Sequence, residues 1–260
     1  MKTLTLLTDF GTQDAYVAML KGVIATIAPQ SRILDITHQV PPQDLSSARF
    51  LWMSAFPYFP PSSIHVAVVD PGVGSTRRAI AVQLPSGYLF APDNGIVSGI
   101  LSLETPIAAI VLDRPEYWRT PQPSHTFHGR DIFAPAAAHL ANGVSFKELG
   151  QPIDWRSLIQ LPIPQPTQLS QDAWQGCIQA IDHFGNLITN LRGDWVSGKM
   201  WGVELMDQAV TGHEIYANVR HHEAVAIVGS SGWIEIAVRN GNAAAVFGGT
   251  IGDHVKLVIV

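Results

Sequence analysis

The chain has 260 residues, 47% of them apolar and 14% charged, with a formal net charge of -5 at pH 7. That length can bury one large core or two modest ones, and the composition excludes a disordered chain. No block of like charge marks a nucleic-acid surface, and the single cysteine, Cys177, excludes an intramolecular disulfide and a thiolate zinc site. The apolar run near the N-terminus stops at Thr8-Asp9, too short for a signal peptide or a membrane span. The expectation is a soluble, cytoplasmic protein with neither nucleic-acid nor membrane partners.

Residues 3–7 predict a strand ending at Thr8-Asp9-Phe10-Gly11. Over residues 15–28, Val17, Leu20, Ile24 and Ile27 recur on one helical face, and Pro29 stops the helix. A second strand is predicted at 32–36. Asp44 can then cap a helix carrying Leu45, Ala48, Leu51, Trp52 and Ala55. Residues 66–69 read as a buried parallel strand that halts at Asp70-Pro71-Gly72. Pro71 cannot donate to a sheet ladder, and Gly72 and Gly74 free the backbone for a tight turn before Arg77 and Arg78. In open α/β sheets ligands bind outside the carboxyl ends of strands. Asp-Pro-Gly is also an ordinary turn, but further strand-end acids at Asp9 and Asp93 favour a site.

Strands are predicted at 79–84, 88–91 and 108–112, with a short helix after Pro92-Asp93-Asn94-Gly95. Phe127-His128-Gly129-Arg130-Asp131 opens an alanine-rich helix ending near Asn142-Gly143. This alternation predicts an N-terminal three-layer α/β domain over residues 1–151, with a mainly parallel sheet. Residues 152–168, which hold four prolines, read as a linker. Over 169–260, apolar runs at 176–181, 202–205, 224–228, 233–238 and 255–260 alternate with Gly- and Asn-rich turns and no amphipathic helix. That spacing predicts a smaller all-β, barrel-like C-terminal domain.

Gly72-Val73-Gly74 is not a dinucleotide fingerprint, because its third glycine would fall at Arg77, and no Walker-type loop is present. Asp9, Asp70, Asp93 and His128 are residue types that hold divalent ions, yet their spacing matches no compact metal motif. His221-His222 reads as a solvated pair on a strand, the two rings facing opposite ways. Asp182-His183-Phe184-Gly185-Asn186 could hold a polar, partly aromatic ligand or form only a hairpin turn. Ser230-Ser231-Gly232-Trp233-Ile234-Glu235 sets hydroxyls and a carboxylate beside a strand.

Taken in order, Thr8-Asp9-Phe10-Gly11, Val69-Asp70-Pro71-Gly72-Val73-Gly74, Pro92-Asp93-Asn94-Gly95, Phe127-His128-Gly129-Arg130-Asp131, Asp182-x-Phe184-Gly185-Asn186 and Ser230-x-Gly232-x-x-Glu235 resemble one family. It is that of the S-adenosyl-L-methionine hydrolases (adenosyl-forming), or hydroxide adenosyltransferases, relatives of the S-adenosylmethionine-dependent fluorinases and chlorinases. The resemblance runs from Leu4 to about Val258. It implies a homotrimer with ligand between one subunit's N-terminal domain and its neighbour's C-terminal domain. It also implies conversion of S-adenosylmethionine and water into adenosine and methionine, with no metal and no cofactor.

Carried over by position, the resemblance implies a catalytic set of Asp70, Arg77 and His128. Asp9 corresponds to the residue that holds the ribose hydroxyls, and Asp14 lies toward the methionine end. Asp182, Phe184, Asn186, Ser230, Glu235 and Val238 correspond to substrate contacts of the C-terminal domain, Val238 through its backbone. The halogenating relatives have tyrosine in place of Asp70 and serine in place of Gly129. A carboxylate without the halide-cradling hydroxyl suits water rather than a halide. Ser231 stands where some relatives carry arginine, and Gln43 where a halogenase has tryptophan. The alternatives to hydrolysis are a halogenase and a non-catalytic adenosine or S-adenosylmethionine sensor. An intact Asp70, Arg77 and His128 set argues against the sensor.

Overall fold

The computed structural model describes residues 1–260, which divide into two units, Met1–Leu161 and Pro162–Val260. The first contains β1 (Thr3–Thr8), α1 (Tyr16–Ile27), β2 (Arg32–Thr37), α2 (Leu45–Ala55), β3 (Ser63–Val68), β4 (Ala79–Gln83), β5 (Gly87–Pro92), α3 (Ser98–Leu101), β6 (Ala108–Val111), α4 (Ala134–Ala141) and β7 (Gln151–Ile153). Strands β1 and β3 are buried almost throughout, as strands covered by helices on both faces must be. Alternation divides them. Leu4, Leu6, Ile64, Val66 and Val68 join Leu20 and Ile24 of α1 and the alanines of α4 in one core. On the other face His65 lies against the rings of Phe56 and Phe59, just beyond α2, at 5.0 and 5.4 Å. Asp44 caps α2 as expected, its Oδ1 accepting from Ser47 N–H at 3.0 Å.

The strand order is β2-β1-β3-β5-β4-β6-β7. The expected parallel sheet extends over β2, β1, β3 and β5 only, and β4, β6 and β7 add antiparallel. Residues 84–86 are too short for a crossover, so they close a hairpin through Leu84 N–H to Gly87 O at 2.8 Å. The adjacent parallel strands β1, β3 and β5 end at one edge, which sets Asp9, Asp70 and Asp93 in a row there.

Residues 152–161, read from sequence as the start of a linker, are tied to the first unit. Pro152 lies in edge strand β7, where no ladder donor is needed on its outer side. Ile159 N–H donates to Asp93 Oδ1 at 2.9 Å, and Leu161 N–H to Ser98 Oγ at 2.9 Å.

The second unit contains β8 (Thr167–Ser170), β9 (Ala173–Ile181), β10 (Leu187–Arg192), β11 (Trp201–Leu205), β12 (Gln208–Thr211), β13 (Ala224–Val228), β14 (Trp233–Val238), α5 (Ala243–Phe247) and β15 (His254–Ile259). Its sheet runs β12-β11-β15-β9-β10-β14-β13, with β8 also on β9. Long β9 pairs with β15 through its first half and with β10 through its second. A bridge between Gly212 and Ala226, with His213 N–H donating to Ala226 O at 2.8 Å, draws the two edges together into a nearly closed barrel. Ile178, Leu187, Leu191, Val203, Ile234, Ile236, Val255 and Leu257 fill it. Three features differ from the sequence reading. Strands β8, β10 and β12 add to the expected set, α5 is a helix in the all-β half, and His221-His222 lies in an exposed turn rather than on a strand. No helix of the chain is long and apolar enough to cross a membrane.

Buried His65 ties the fold to pH. Its Nδ1 lies 2.8 Å from Thr5 Oγ1, and burial pushes its pKa down to about 4 from an ordinary 6.5. The unfolded chain takes up this proton below 6.5 whereas the folded chain holds off to about 4. Stability is therefore complete above 6.5, falls as the pH drops through that window, and levels off below it, losing on the order of 3 kcal/mol. Denaturant unfolding between pH 7 and 4 should show this slope, and His65→Gln should flatten it. An unchanged slope would assign the loss to other groups.

Candidate active site

Asp70 is separated from the end of β3 by Val69, whose carbonyl accepts from Asn94 Nδ2 at 2.9 Å. The loop beyond it packs so closely on residue 125 that a Cβ at Gly74 would lie 2.3 Å from His125 O, and Gly74 has φ +78°. Only glycine suits that position. The chain then extends into β4, so the consecutive Arg77 and Arg78 point to opposite sides. Arg77 Nε donates to both oxygens of Asp70 at 3.0 Å, and its Nη2 donates to Asp70 Oδ2 and, at 2.7 Å, to His128 Nδ1. Its guanidinium carbon is 5.4 Å from the centre of the Phe133 ring. The side chains of Arg77 and Asp70 are 9% and 5% exposed, so water screens this pair little.

His128 enters this group from the π-turn Gly129–Phe133 ahead of α4, a departure from α-helical geometry often found at functional sites. A guanidinium can only donate, so His128 Nδ1 accepts and its proton sits on Nε2. Burial, then the positive charge of Arg77, hold the imidazole below its ordinary pKa against the opposite pull of Asp70 and Asp131. The triad inferred from sequence is thus a connected group, and its histidine is neutral at pH 7.

The other motif residues differ in how far the fold itself occupies their polar groups. Asp93, a strand-end acid like Asp70, is occupied by Arg78 Nε at 2.7 Å and by Ile159 N–H. Asp131 is fully buried beneath Arg130, at 2.7 and 2.8 Å, and takes Ser124 N–H at 2.9 Å, so it anchors the preceding loop. Asp9 Oδ2 accepts from Gln43 N–H at 2.8 Å. Asp14 is exposed in the turn before α1. No three His, Cys, Asp or Glu side chains are grouped so as to hold a metal ion.

In the second unit, Asp182 builds a tight turn. Its Oδ1 accepts from Phe184 N–H at 2.9 Å and Asn186 N–H at 2.8 Å, and its Oδ2 accepts from Asn186 Nδ2 at 2.8 Å. The buried Asn186 is thereby left with Oδ1 as its outward acceptor, and Phe184 stands 72% exposed on the turn. Asn242 lies flat on the turn, where a Cβ at Gly185 would meet its amide at 2.2 Å. Glu235 is buried and curls over Gly229, beside the exposed Ser230. Burial first, then the charge of Asp182, raise its pKa. The carbonyl of Val238 accepts from Gly241 N–H at 3.0 Å. Tyr216, which no sequence motif singled out, is partly exposed, and burial first, then the charges of Glu235 and Asp182, raise its pKa. Its neighbours are distant in sequence, so nothing local marks it.

The model of the SAM hydroxide adenosyltransferase N-terminal domain matches residues 4–150, and that of the C-terminal domain matches residues 176–256. The chain belongs to the SAM hydroxide adenosyltransferase family. It is 37% identical over 268 residues to an (R)-S-adenosyl-L-methionine hydrolase of Thermus thermophilus, covering 99% of this chain and 100% of the relative. It is 35% identical over 250 residues to the enzyme of that name from Salinispora tropica, covering 96% and 95%. A fluorinase of an Actinoplanes species is more distant, at 26% over 209 residues, 71% of this chain and 70% of the relative. Among solved structures, an uncharacterized conserved protein from Thermotoga maritima superimposes with a TM-score of 0.91 at 31% identity, over 98% of this chain and 99% of that one.

The Arg77–His128 contact makes a spectroscopic prediction. Nitrogen-15 NMR should show His128 with its proton on Nε2 and a titration midpoint below 6.5. Removing the neighbouring cation in Arg77→Ala should move the midpoint upward. A proton on Nδ1 in the wild type would contradict donation from Arg77 to that nitrogen.

Proposed function

We propose that this chain hydrolyses S-adenosyl-L-methionine to adenosine and L-methionine, with water attacking the ribose C5′. The observation that carries this reading is the arginine fork. Arg77 occupies one side of Asp70 and the Nδ1 of His128, leaving the remaining carboxylate lone pairs and His128 Nε2–H to face a water. The Nε2–H donates to that water and orients it, and Asp70 accepts its proton as the O–C5′ bond forms. The C5′–S bond breaks with its electron pair passing to sulfur, so methionine leaves neutral and no general acid is required.

Asp9, with one oxygen held by Gln43, offers the other to the ribose hydroxyls, and Asp14 approaches the methionine end. Phe184, Asn186, Ser230 and the backbone of Val238 contact the substrate, and Asp182 and Glu235 make an electronegative patch suited to its ammonium. The chain works without metal or cofactor. The ligand groups fall into two sets on two units, and the family resemblance implies that each site joins one protomer's N-terminal unit to a neighbour's C-terminal unit in a homotrimer. A single, buried cysteine suits the reducing cytoplasm.

Purified protein should convert S-adenosylmethionine to adenosine and methionine at a rate unchanged by dialysis against a chelator. In ¹⁸O-labelled water the label should enter the adenosine 5′-hydroxyl. Asp70→Ala should lower turnover about a hundredfold or more while weakening adenosine binding less. Absence of label from adenosine in a single turnover would sink the assignment of water as nucleophile.

The shared site has its own test. Inactive Asp70→Ala and inactive Asn186→Ala proteins, mixed under conditions that exchange subunits, should regain activity in hybrid trimers. Exchange without recovery would reject the shared site.

A further inference from the structure

Beneath the loop that carries Asp9 runs a chain of polar contacts in which no residue is assigned a role by the proposed reaction. Thr8, the last residue of β1, is fully buried, and its Oγ1 accepts from Phe10 N–H at 3.2 Å while lying 2.8 Å from His38 Nδ1. His38 is 4% exposed, and its Nε2 lies 3.1 Å from Asp35 Oδ1. Lys21 Nζ binds the other oxygen of Asp35 at 2.7 Å. Burial alone would raise Asp35, but Lys21 and His38 outweigh it and hold the carboxyl low.

The charge of Asp35 sets the direction of the contact with Thr8. A carboxylate 3.1 Å from Nε2, near enough for attraction but not aligned as a hydrogen bond, favours the imidazole proton on Nε2, which makes Nδ1 the acceptor and the Thr8 hydroxyl its donor. The hydroxyl oxygen is then turned to receive Phe10 N–H. The main chain adds a second tie, because Gly11 N–H donates to His38 O at 2.8 Å. The Asp9 peptide is therefore gripped on both sides, at Thr8 and through Phe10 and Gly11. The same β2–α2 loop returns to Asp9 at Gln43, whose N–H holds Oδ2 at 2.8 Å from a left-handed backbone with φ 65°. A register shift brings this about. Leu6 pairs with Asp35 but Leu7 pairs with Thr37, so the end of β2 gains a residue and His38 is re-aimed toward Thr8.

We propose that His38, acting through Thr8 and its own carbonyl, is a positioning residue that presets the Asp9 carboxylate for a vicinal diol. This rests on the reading of Asp9 as the ribose contact. A buried hydrogen-bonded histidine spends its packing space on orientation rather than on apolar contact. A preset carboxylate avoids the ordering cost of binding both hydroxyls.

The test is a double-mutant cycle in ligand and protein, read by calorimetry on the full chain without turnover. Wild-type protein should bind adenosine more tightly than 2′,3′-dideoxyadenosine. In His38→Ala this ratio should shrink by roughly fivefold or more, whereas His38→Asn, which can keep the bond to Thr8, should recover most of it. Thr8→Val should mimic His38→Ala. In turnover, His38→Ala should raise KM with kcat little changed, since diol contacts act on ground and transition states alike. A ratio that stays within twofold of wild type in folded His38→Ala or Thr8→Val protein overturns the proposal. So does failure of both variants to fold, which would make the role structural. A wild-type protein that binds both ligands equally would instead remove the Asp9 reading beneath it.

Discussion

The arginine fork at Arg77 is the constraint on which the site depends. Its Nε and Nη2 fix Asp70, seven residues away, and the same Nη2 fixes His128, 51 residues away, so two segments are tied to one planar cation. A lysine could neutralise Asp70 but could not hold a carboxylate with two nitrogens and an imidazole with one of them in a set plane. The fork also determines protonation. By donating to Nδ1 it moves the imidazole proton to Nε2, and by its charge it opposes a second proton. In the proposed reaction, the geometry of one side chain thus decides what its two partners can do to a water.

What surrounds the fork follows from strand periodicity. Three parallel strands ending together would crowd three carboxylates on one edge. The chain resolves this by placing Arg77 and Arg78 in succession on an extended segment, one for Asp70 and the other for Asp93. Asp93 is thereby committed to structure, and Asp9 is held by the backbone N–H of Gln43. The second unit distributes charge differently. Asp182 is surrounded by N–H donors, whereas Glu235 is buried beside it with its pKa raised, so one carboxylate organises the turn and the other feels its charge.

Much of this was legible in the sequence because the relevant signals are local. Asp70-Pro71-Gly72 marks a strand that must stop, and Asp44 marks a helix that must start. The barrel was harder. Strand β10 holds Thr189 and Asn190 at its centre, which reads as a turn, yet both are buried and satisfied. Thr189 Oγ1 donates to Ile234 O at 2.8 Å, Asn190 Oδ1 accepts from Cys177 N–H at 2.8 Å, and Asn190 Nδ2 donates to Pro164 O at 2.8 Å. Those partners lie far along the chain, so no window of sequence contains the reason. The antiparallel half of the first sheet escaped notice for a similar cause, since apolar periodicity reports a strand and not its direction. His38 carries no motif because its contacts with Thr8 and Asp35 arise only from what folding brings beside it.

The charge state of the triad completes the physical argument. A guanidinium facing a sulfonium would by itself be repulsive, at roughly 3 kcal/mol for unit charges 5 Å apart at an effective dielectric near 20. Asp70 cancels Arg77, and a neutral His128 adds nothing, so the group as a whole carries no net charge toward a cationic substrate. A protonated His128 would restore a full positive charge and withdraw the lone pair that receives Arg77. Both penalties act in the same direction as burial, which already disfavours the imidazolium. The lowered pKa of His128 is therefore more than a consequence of packing. It keeps the fork intact and, in the proposed reaction, leaves the site electrically open to a sulfonium.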